Sequence, residues 1–76
     1  MSIQIEIQSD TSGTLTKVLA LPDAWQRLCS TLAIVNSVGT EVAIKAPSDG
    51  YVLRYLIEEG HVVNAGQSIA IFIAPD

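Results

Sequence analysis

Hydrophobic and polar residues alternate at the start of the chain, and short apolar runs follow between turn-prone stretches. Residues 3–8 read Ile-Gln-Ile-Glu-Ile-Gln, which is typical of a strand with one buried face. Residues 32–35 form an unbroken apolar run, as in a strand covered on both sides. Residues 69–73 form another apolar strand segment. Residues 42–44 and 51–57 add further apolar strand segments. The pattern therefore predicts a chain made mostly of short strands.

Turn-prone residues separate these segments. Residues 9–13 and 36–40 are polar or glycine-containing, and the second stretch predicts a hairpin tip. Residues 46–50 read Ala-Pro-Ser-Asp-Gly, where proline presets φ and Asp-Gly accepts the bend. Pro22-Asp23 breaks the apolar segment before it, and residues 24–27 are ambiguous, with a single helical turn as one possibility. No long helical period interrupts the strand pattern.

A shift of 37 residues superimposes two halves of the chain, 3–36 and 40–73, without a gap. Five positions are identical in the two halves, and the two halves share an apolar pattern. The identical pairs are Ile7 and Ile44, Gly13 and Gly50, Leu19 and Leu56, Ala33 and Ala70, and Ile34 and Ile71. Two such β-units cannot bury their apolar faces alone, so they are expected to pack about a pseudo-twofold axis. The predicted fold is all-β, a flattened barrel or sandwich of two sheets, as one domain over residues 1–76.

Composition supports strands and excludes several functions. Of the 76 residues, 21 are β-branched (9 Ile, 7 Val and 5 Thr), and these side chains favour a pleated surface. The net charge of −4 argues against a nucleic-acid surface or an anionic membrane surface. The single cysteine cannot form an internal disulfide, and with one histidine it cannot complete a zinc site. No targeting segment and no run of about 18 apolar residues is visible, so a cytoplasmic protein is expected.

The second half resembles biotinyl and lipoyl carrier domains. It reads Ala-Pro-Ser-Asp-Gly-Tyr-Val over residues 46–52 and Glu-Gly-His-Val-Val-Asn-Ala-Gly-Gln-Ser-Ile over residues 59–69. The family pattern is Ala-Pro-x-x-Gly-x-Val, then Glu-Gly-Asp-x-Val-x-x-Gly-Gln-x-Leu. In the first half, residues 13–15 and 32–35 match more loosely. The resemblance implies a flattened barrel with internal pseudo-twofold symmetry, in agreement with the 37-residue repeat.

The family attaches its cofactor to a lysine at the tip of the central hairpin. The matching tip here comprises Ser37, Val38, Gly39 and Thr40, and Gly39 takes the lysine position. Biotinylation and lipoylation both require an amine, so the resemblance implies a carrier-like domain that holds neither cofactor. Gly39 also suits a tight turn, because glycine adopts positive φ without strain.

The favoured function is therefore a non-enzymatic accessory or degenerate carrier subunit. It would act through protein association, beside a biotin-dependent carboxylase or a related acyl-transfer complex. One alternative is a working biotin or lipoyl carrier modified at a displaced lysine, Lys45. The other is a small ligand-binding β-module, which requires a concave apolar pocket.

Other conspicuous residues receive structural interpretations. Cys29 and His61 lack a third residue to orient them, so catalysis is disfavoured, and Cys29 is expected to be a small buried hydrophobe. Trp25 matches Val62 of the second half, which predicts core packing, with an exposed anchor for a protein partner as the alternative.

The acidic residues are expected on the surface, Glu58 and Glu59 on opposite faces and Asp49 bonded to its own turn. No catalytic or metal-binding residues are predicted. Asp23 and Cys29 stand where the family has glycines, so the first-half loop is expected to differ in shape.

Overall fold

The protein folds into two four-stranded antiparallel sheets. The structure is a computed structural model that describes residues 2–75. The strands are β1 (Ser2–Gln8), β2 (Gly13–Val18), β3 (Trp25–Gln26), β4 (Thr31–Ser37), β5 (Thr40–Lys45), β6 (Gly50–Tyr55), β7 (Val62–Val63) and β8 (Ser68–Pro75). One sheet has the order β1-β8-β6-β3 and the other the order β5-β4-β2-β7. The predicted all-β sandwich of two sheets is confirmed.

The hydrophobic pattern explains where each strand lies. The unbroken apolar runs form parts of β4 and β8, and each of these strands has a neighbour on both sides. The alternating segment forms β1, an edge strand in which Ile7 is buried while Glu6 and Gln8 are exposed. Residues 24–27 contain no helical turn, because Trp25 and Gln26 pair with β6 instead. None of the residues from 2 to 75 forms a helix that is long and apolar enough to cross a membrane.

The two sheets are related by the 37-residue shift. Adding 37 to the residue numbers converts β1 into β5, β2 into β6, β3 into β7 and β4 into β8. The same shift therefore converts the strand order of one sheet into that of the other. The irregular pairing between Leu15 and Lys17 in β2 recurs between Val52 and Arg54 in β6. Each sheet contains strands of both halves, so the halves bury their apolar faces against each other.

The core repeats this symmetry. Its large side chains occupy matching positions in the two halves, and Phe72 is fully buried where the first half has Val35. The buried equivalent pairs are Ile7 and Ile44, Leu15 and Val52, Leu32 and Ile69, Ala33 and Ala70, and Val35 and Phe72. The hydrophobic effect thus acts on both copies of the unit at once.

The first-half loop keeps the backbone of its glycine-containing counterpart, contrary to expectation. Asp23 and Cys29 have φ of 68° and 69°, while Gly60 and Gly66, 37 residues later, have φ of 91° and 84°. The Asp23 N–H donates to the Val52 carbonyl at 2.8 Å, and Gly60 makes the matching bond in the other half. These cross-sheet hydrogen bonds hold the loop in a left-handed conformation that side chains disfavour.

Candidate functional site

The hairpin between β4 and β5 ends in a two-residue turn. Ser37 pairs with Thr40, and Val38 and Gly39 between them have φ of 49° and 80°. Positive φ at both central residues is the type I′ geometry, whose twist matches that of the flanking strands. Asn-Gly is the usual sequence for this turn, so a β-branched residue in its first position is strained.

Two side-chain hydrogen bonds hold the base of the hairpin. The Gly39 N–H donates to the Asn36 side-chain oxygen at 3.0 Å, and this bond links the turn to the end of β4. The Thr11 hydroxyl donates to the Ser37 hydroxyl oxygen at 3.1 Å and attaches the β1–β2 loop to the hairpin. The tip is thus presented on a supported base, while Val38 itself is 100% exposed.

Gly39 lies in open space at this tip. A Cβ atom built on it would have no neighbouring heavy atom within 4 Å. A longer side chain would therefore project into solvent without a steric clash, although the φ of 80° would strain any residue other than glycine. The position is suitable for displaying a side chain, and in this chain it carries none.

Both lysines lie within strands and away from the tip. Lys45 is the last residue of β5, pairs with Thr31 and is exposed. Six residues of extended chain separate it from Gly39, which corresponds to roughly 20 Å. Lys17 lies in β2, where it pairs with Ile34. Neither amine lies at the apex where the family modifies its lysine.

The thiol and the imidazole lie in separate environments. Cys29 is exposed, so the predicted burial of this residue is wrong. Its N–H donates to the Ala46 carbonyl at 3.0 Å, which holds it near the β5–β6 turn. His61 is also exposed, and its carbonyl accepts the N–H of Leu15 in β2. These contacts attach Cys29 to the β5–β6 turn and His61 to β2.

Trp25 faces solvent and does not pack in the core. It is 57% exposed, and its equivalent in the other half, Val62, is 71% exposed. The next residue, Val63, is the inward one and is fully buried. A two-residue strand has one side chain on each face of its sheet. The prediction that Trp25 and its equivalent Val62 point inward is wrong, because the inward position in β7 is Val63. The alternative for Trp25, an exposed anchor, remains a hypothesis.

Trp25 and the hairpin tip lie at different ends of the sandwich. Trp25 pairs with Tyr51, which pairs with Ile73, which in turn pairs with Gln4 near the start of β1. The loop that follows the end of β1 contacts the base of the hairpin.

Two acidic side chains in loops bond to backbone groups far away in the sequence. The Val18 N–H donates to a Glu59 carboxylate oxygen at 2.6 Å, across 41 residues of sequence. The Leu28 N–H donates to the Asp49 carboxylate at 2.8 Å, so the prediction that Asp49 bonds to its own turn is wrong. Sequence reasoning missed both roles, because backbone partners so far along the chain leave no local signal. Each carboxylate takes a structural role here.

A surface groove of about 420 Å³ runs between β1 and β5, the edge strands of the two sheets. Its lining mixes apolar and charged side chains, including Ile5, Ile44, Asp10 and Lys45. Within residues 2–75, no three His, Cys, Asp or Glu side chains are grouped as metal ligands would be. The groove lies along one edge of the sandwich, and its floor includes the core residues Ile7 and Ile44.

Comparison with known proteins identifies the fold. No family model matches the chain, and no curated protein matches it significantly. Among solved structures, it is similar to part of a single-chain, multi-domain long-chain acyl-CoA carboxylase, with 22% identity over 91% of this chain and a TM-score of 0.85. It is also similar to part of the Kluyveromyces lactis urea carboxylase, with 23% identity over 92% and a TM-score of 0.87. The chain covers only 7% and 6% of those two proteins. The shared fold is the biotinyl-domain-like sandwich expected from the sequence.

Proposed function

We propose that this chain is a carrier-like module that bears no prosthetic group and acts by associating with other proteins. Its partners would be components of a biotin-dependent carboxylase or a related acyl-transfer complex. The observation that carries the proposal is Gly39 in the second position of the hairpin turn. An amide-linked biotin or lipoate requires an amine there, and the two lysines lie elsewhere, in β2 and β5.

The conformation of Val38 supports a contact role for the tip. Its side chain is fully exposed and its φ of 49° is strained, so the folded chain gains nothing from it. Strained residues that persist on a surface are enriched at sites of contact and function. An exposed apolar side chain at the end of a supported hairpin can enter an apolar pocket of a partner.

The similar structures indicate the kind of partner. Both are carboxylases, and the region similar to this chain is a small part of each. In the multi-domain acyl-CoA carboxylase, this region shares one chain with other domains. We infer that this module occupies a comparable position in an assembly, whether its partners are separate subunits or belong to a longer chain. Because it holds no cofactor, its contribution would be to binding and not to chemistry.

Intact-mass measurement tests the absence of the cofactor. The chain is co-expressed with a biotin ligase and, separately, with a lipoyl ligase, and its mass is expected to match the sequence alone. Gly39→Lys is the positive control, because open space surrounds the position and the variant restores an amine at the tip. Biotin on Gly39→Lys but not on the original chain would support the proposal.

Lys45→Arg distinguishes the displaced-lysine alternative. If the original chain gains the mass of a cofactor and Lys45→Arg abolishes this gain, the chain is a working carrier and the proposal fails. Association is tested by capturing purified biotin carboxylase and carboxyltransferase components with the immobilised chain. Val38→Asp is expected to reduce capture, whereas Leu21→Asp, which introduces the same charge at an exposed apolar residue in the loop after β2, serves as the matched control. Equal capture by Val38→Asp and the original chain would remove the tip from the interface.

A further inference from the structure

Among residues 2–75, no strand pairs with the outer edge of β1. The edge strands of the two sheets are β1 and β3 in one, and β5 and β7 in the other. β3 and β7 have two residues each, which offers little backbone for pairing. β1 has seven residues, all of which pair with β8 on one side only. Its other side therefore presents a row of backbone donors and acceptors.

β1 also lacks the residues that usually protect an edge. Natural edge strands are commonly blocked by proline, lysine or several charges. β1 contains neither proline nor lysine, and Glu6 is its only charged residue. The equivalent edge, β5, carries Glu41 and ends in Lys45. Of the two long edges, β1 is thus the one whose sequence permits pairing.

The sequence of β1 is complementary to itself when read in the antiparallel direction. With Ile5 on a twofold axis, all seven residues find a partner, from Ser2 opposite Gln8 to Gln8 opposite Ser2. Ile3 then faces Ile7, so that apolar side chains meet on the core side of the sheet. Gln4 faces Glu6 on the solvent side, where an amide can donate to a carboxylate.

Other registers are poorer. A shift of one residue places isoleucines opposite polar residues and on the wrong face of the sheet. An axis on Glu6 leaves only residues 4–8 paired and sets the two Glu6 carboxylates directly opposite each other. An axis on Gln4 pairs only residues 2–6. The Ile5-centred register alone uses the whole strand and separates the like charges.

The surroundings of β1 leave room for a second strand. The groove between β1 and β5 runs along the free edge and is lined by the half-buried Ile5 and the buried Ile7. Ile3 is 58% exposed, although it continues the buried face of the strand. A second copy would cover Ile3 with Ile7 of its partner and would join two four-stranded sheets into one of eight strands.

We propose that two copies of this chain associate through antiparallel pairing of β1 with β1, with Ile5 on the twofold axis. The interface is isologous, so each solvent-side Gln4–Glu6 pair occurs twice. This association uses the sheet edge and leaves the hairpin tip free. It is therefore independent of the function proposed for the tip.

Sedimentation equilibrium over a range of chain concentrations measures the dimer dissociation constant. Gln4→Lys places two lysines opposite two Glu6 carboxylates and is expected to tighten the dimer by roughly threefold to tenfold. Gln4→Glu places like charges opposite each other and is expected to weaken it by a similar factor. Circular dichroism of each variant verifies that the monomer fold is retained.

Two variants control for the change in net charge. Glu41→Gln matches the charge change of Gln4→Lys but lies on β5, and Arg27→Gln matches that of Gln4→Glu but lies in a loop. Both should leave the dissociation constant within about twofold of the original. A chain that stays monomeric at all concentrations would overturn the proposal. So would a dimer that responds equally to Gln4→Lys and Glu41→Gln, because it would not pair through β1.

Discussion

Replacing Val38 with asparagine should stabilise the protein although it adds no contact to the core. Val38 has a φ of 49°, where its β-branched side chain crowds the backbone. A side chain in the left-handed conformation costs about 1–2 kcal/mol per residue. Asparagine tolerates this conformation because its amide bonds locally to the backbone, and Asn-Gly is the preferred pair for a type I′ turn.

The expected gain in the free energy of unfolding is set by the backbone strain, because the substitution leaves the buried surface unchanged. Val38 is 100% exposed, so its removal sacrifices no buried apolar surface. Val38→Asn should therefore recover most of the strain, about 1 kcal/mol in the free energy of unfolding. In a domain of this size, that gain raises the midpoint of thermal unfolding by about 4–8 °C. Val38→Gly should gain less, because glycine adds about 0.5–1 kcal/mol of conformational freedom to the unfolded chain.

Thermal unfolding followed by circular dichroism, with urea unfolding as a second measure, provides the assay. Val38→Thr is the matched control, because threonine is polar but β-branched and retains the strain. It should unfold at the same midpoint as the original chain. If Val38→Asn and Val38→Thr shift the midpoint equally, polarity and not backbone strain is responsible, and the reasoning is refuted.

Three further predictions concern the stability of the fold. Burial raises the pKa of Tyr55 from 10.0 to about 12, so its contribution is complete below pH 10 and is lost as the pH rises through 12. Tyr55→Phe, which removes the hydroxyl that donates to the Ala20 carbonyl at 2.6 Å, should cost about 1 kcal/mol at neutral pH. It should also flatten the decline in unfolding free energy above pH 10. An unchanged decline would contradict the assignment of this decline to Tyr55. Gly50→Ala should destabilise the protein by about 3 kcal/mol in urea unfolding, because its Cβ would overlap the Ile73 carbonyl oxygen. In Gly66→Ala the new Cβ would contact no atom, so only backbone strain applies and the cost should be about 1 kcal/mol. Equal losses of stability in the two variants would show that the overlap with Ile73 is not the cause. Cys29→Gly should raise the unfolding free energy in reducing buffer by up to about 1 kcal/mol, since Cys29 is exposed with a φ of 69°, whereas Cys29→Ala should not.

The fold was accessible from the sequence because its signals are local or repeated. Alternation over residues 3–8 predicted a strand with one buried face, and the 37-residue shift predicted two similar β-units that pack into one sandwich. The errors concern segments that are too short for alternation to show which side chains point inward. β3 has two residues, so neither its strand state nor the outward side of Trp25 could be established from alternation.

The sequence by itself determined that the hairpin tip carries no amine, because residue 39 is glycine in any fold. It also determined which apolar positions recur in the two halves. The tertiary structure alone decided that Glu59 and Asp49 bond to backbone groups 41 and 21 residues away. It likewise held Asp23 and Cys29 in left-handed conformations that their side chains disfavour. The physical reason is that hydrogen bonds between distant segments outweigh local preferences, and such bonds exist only after the two sheets have come together.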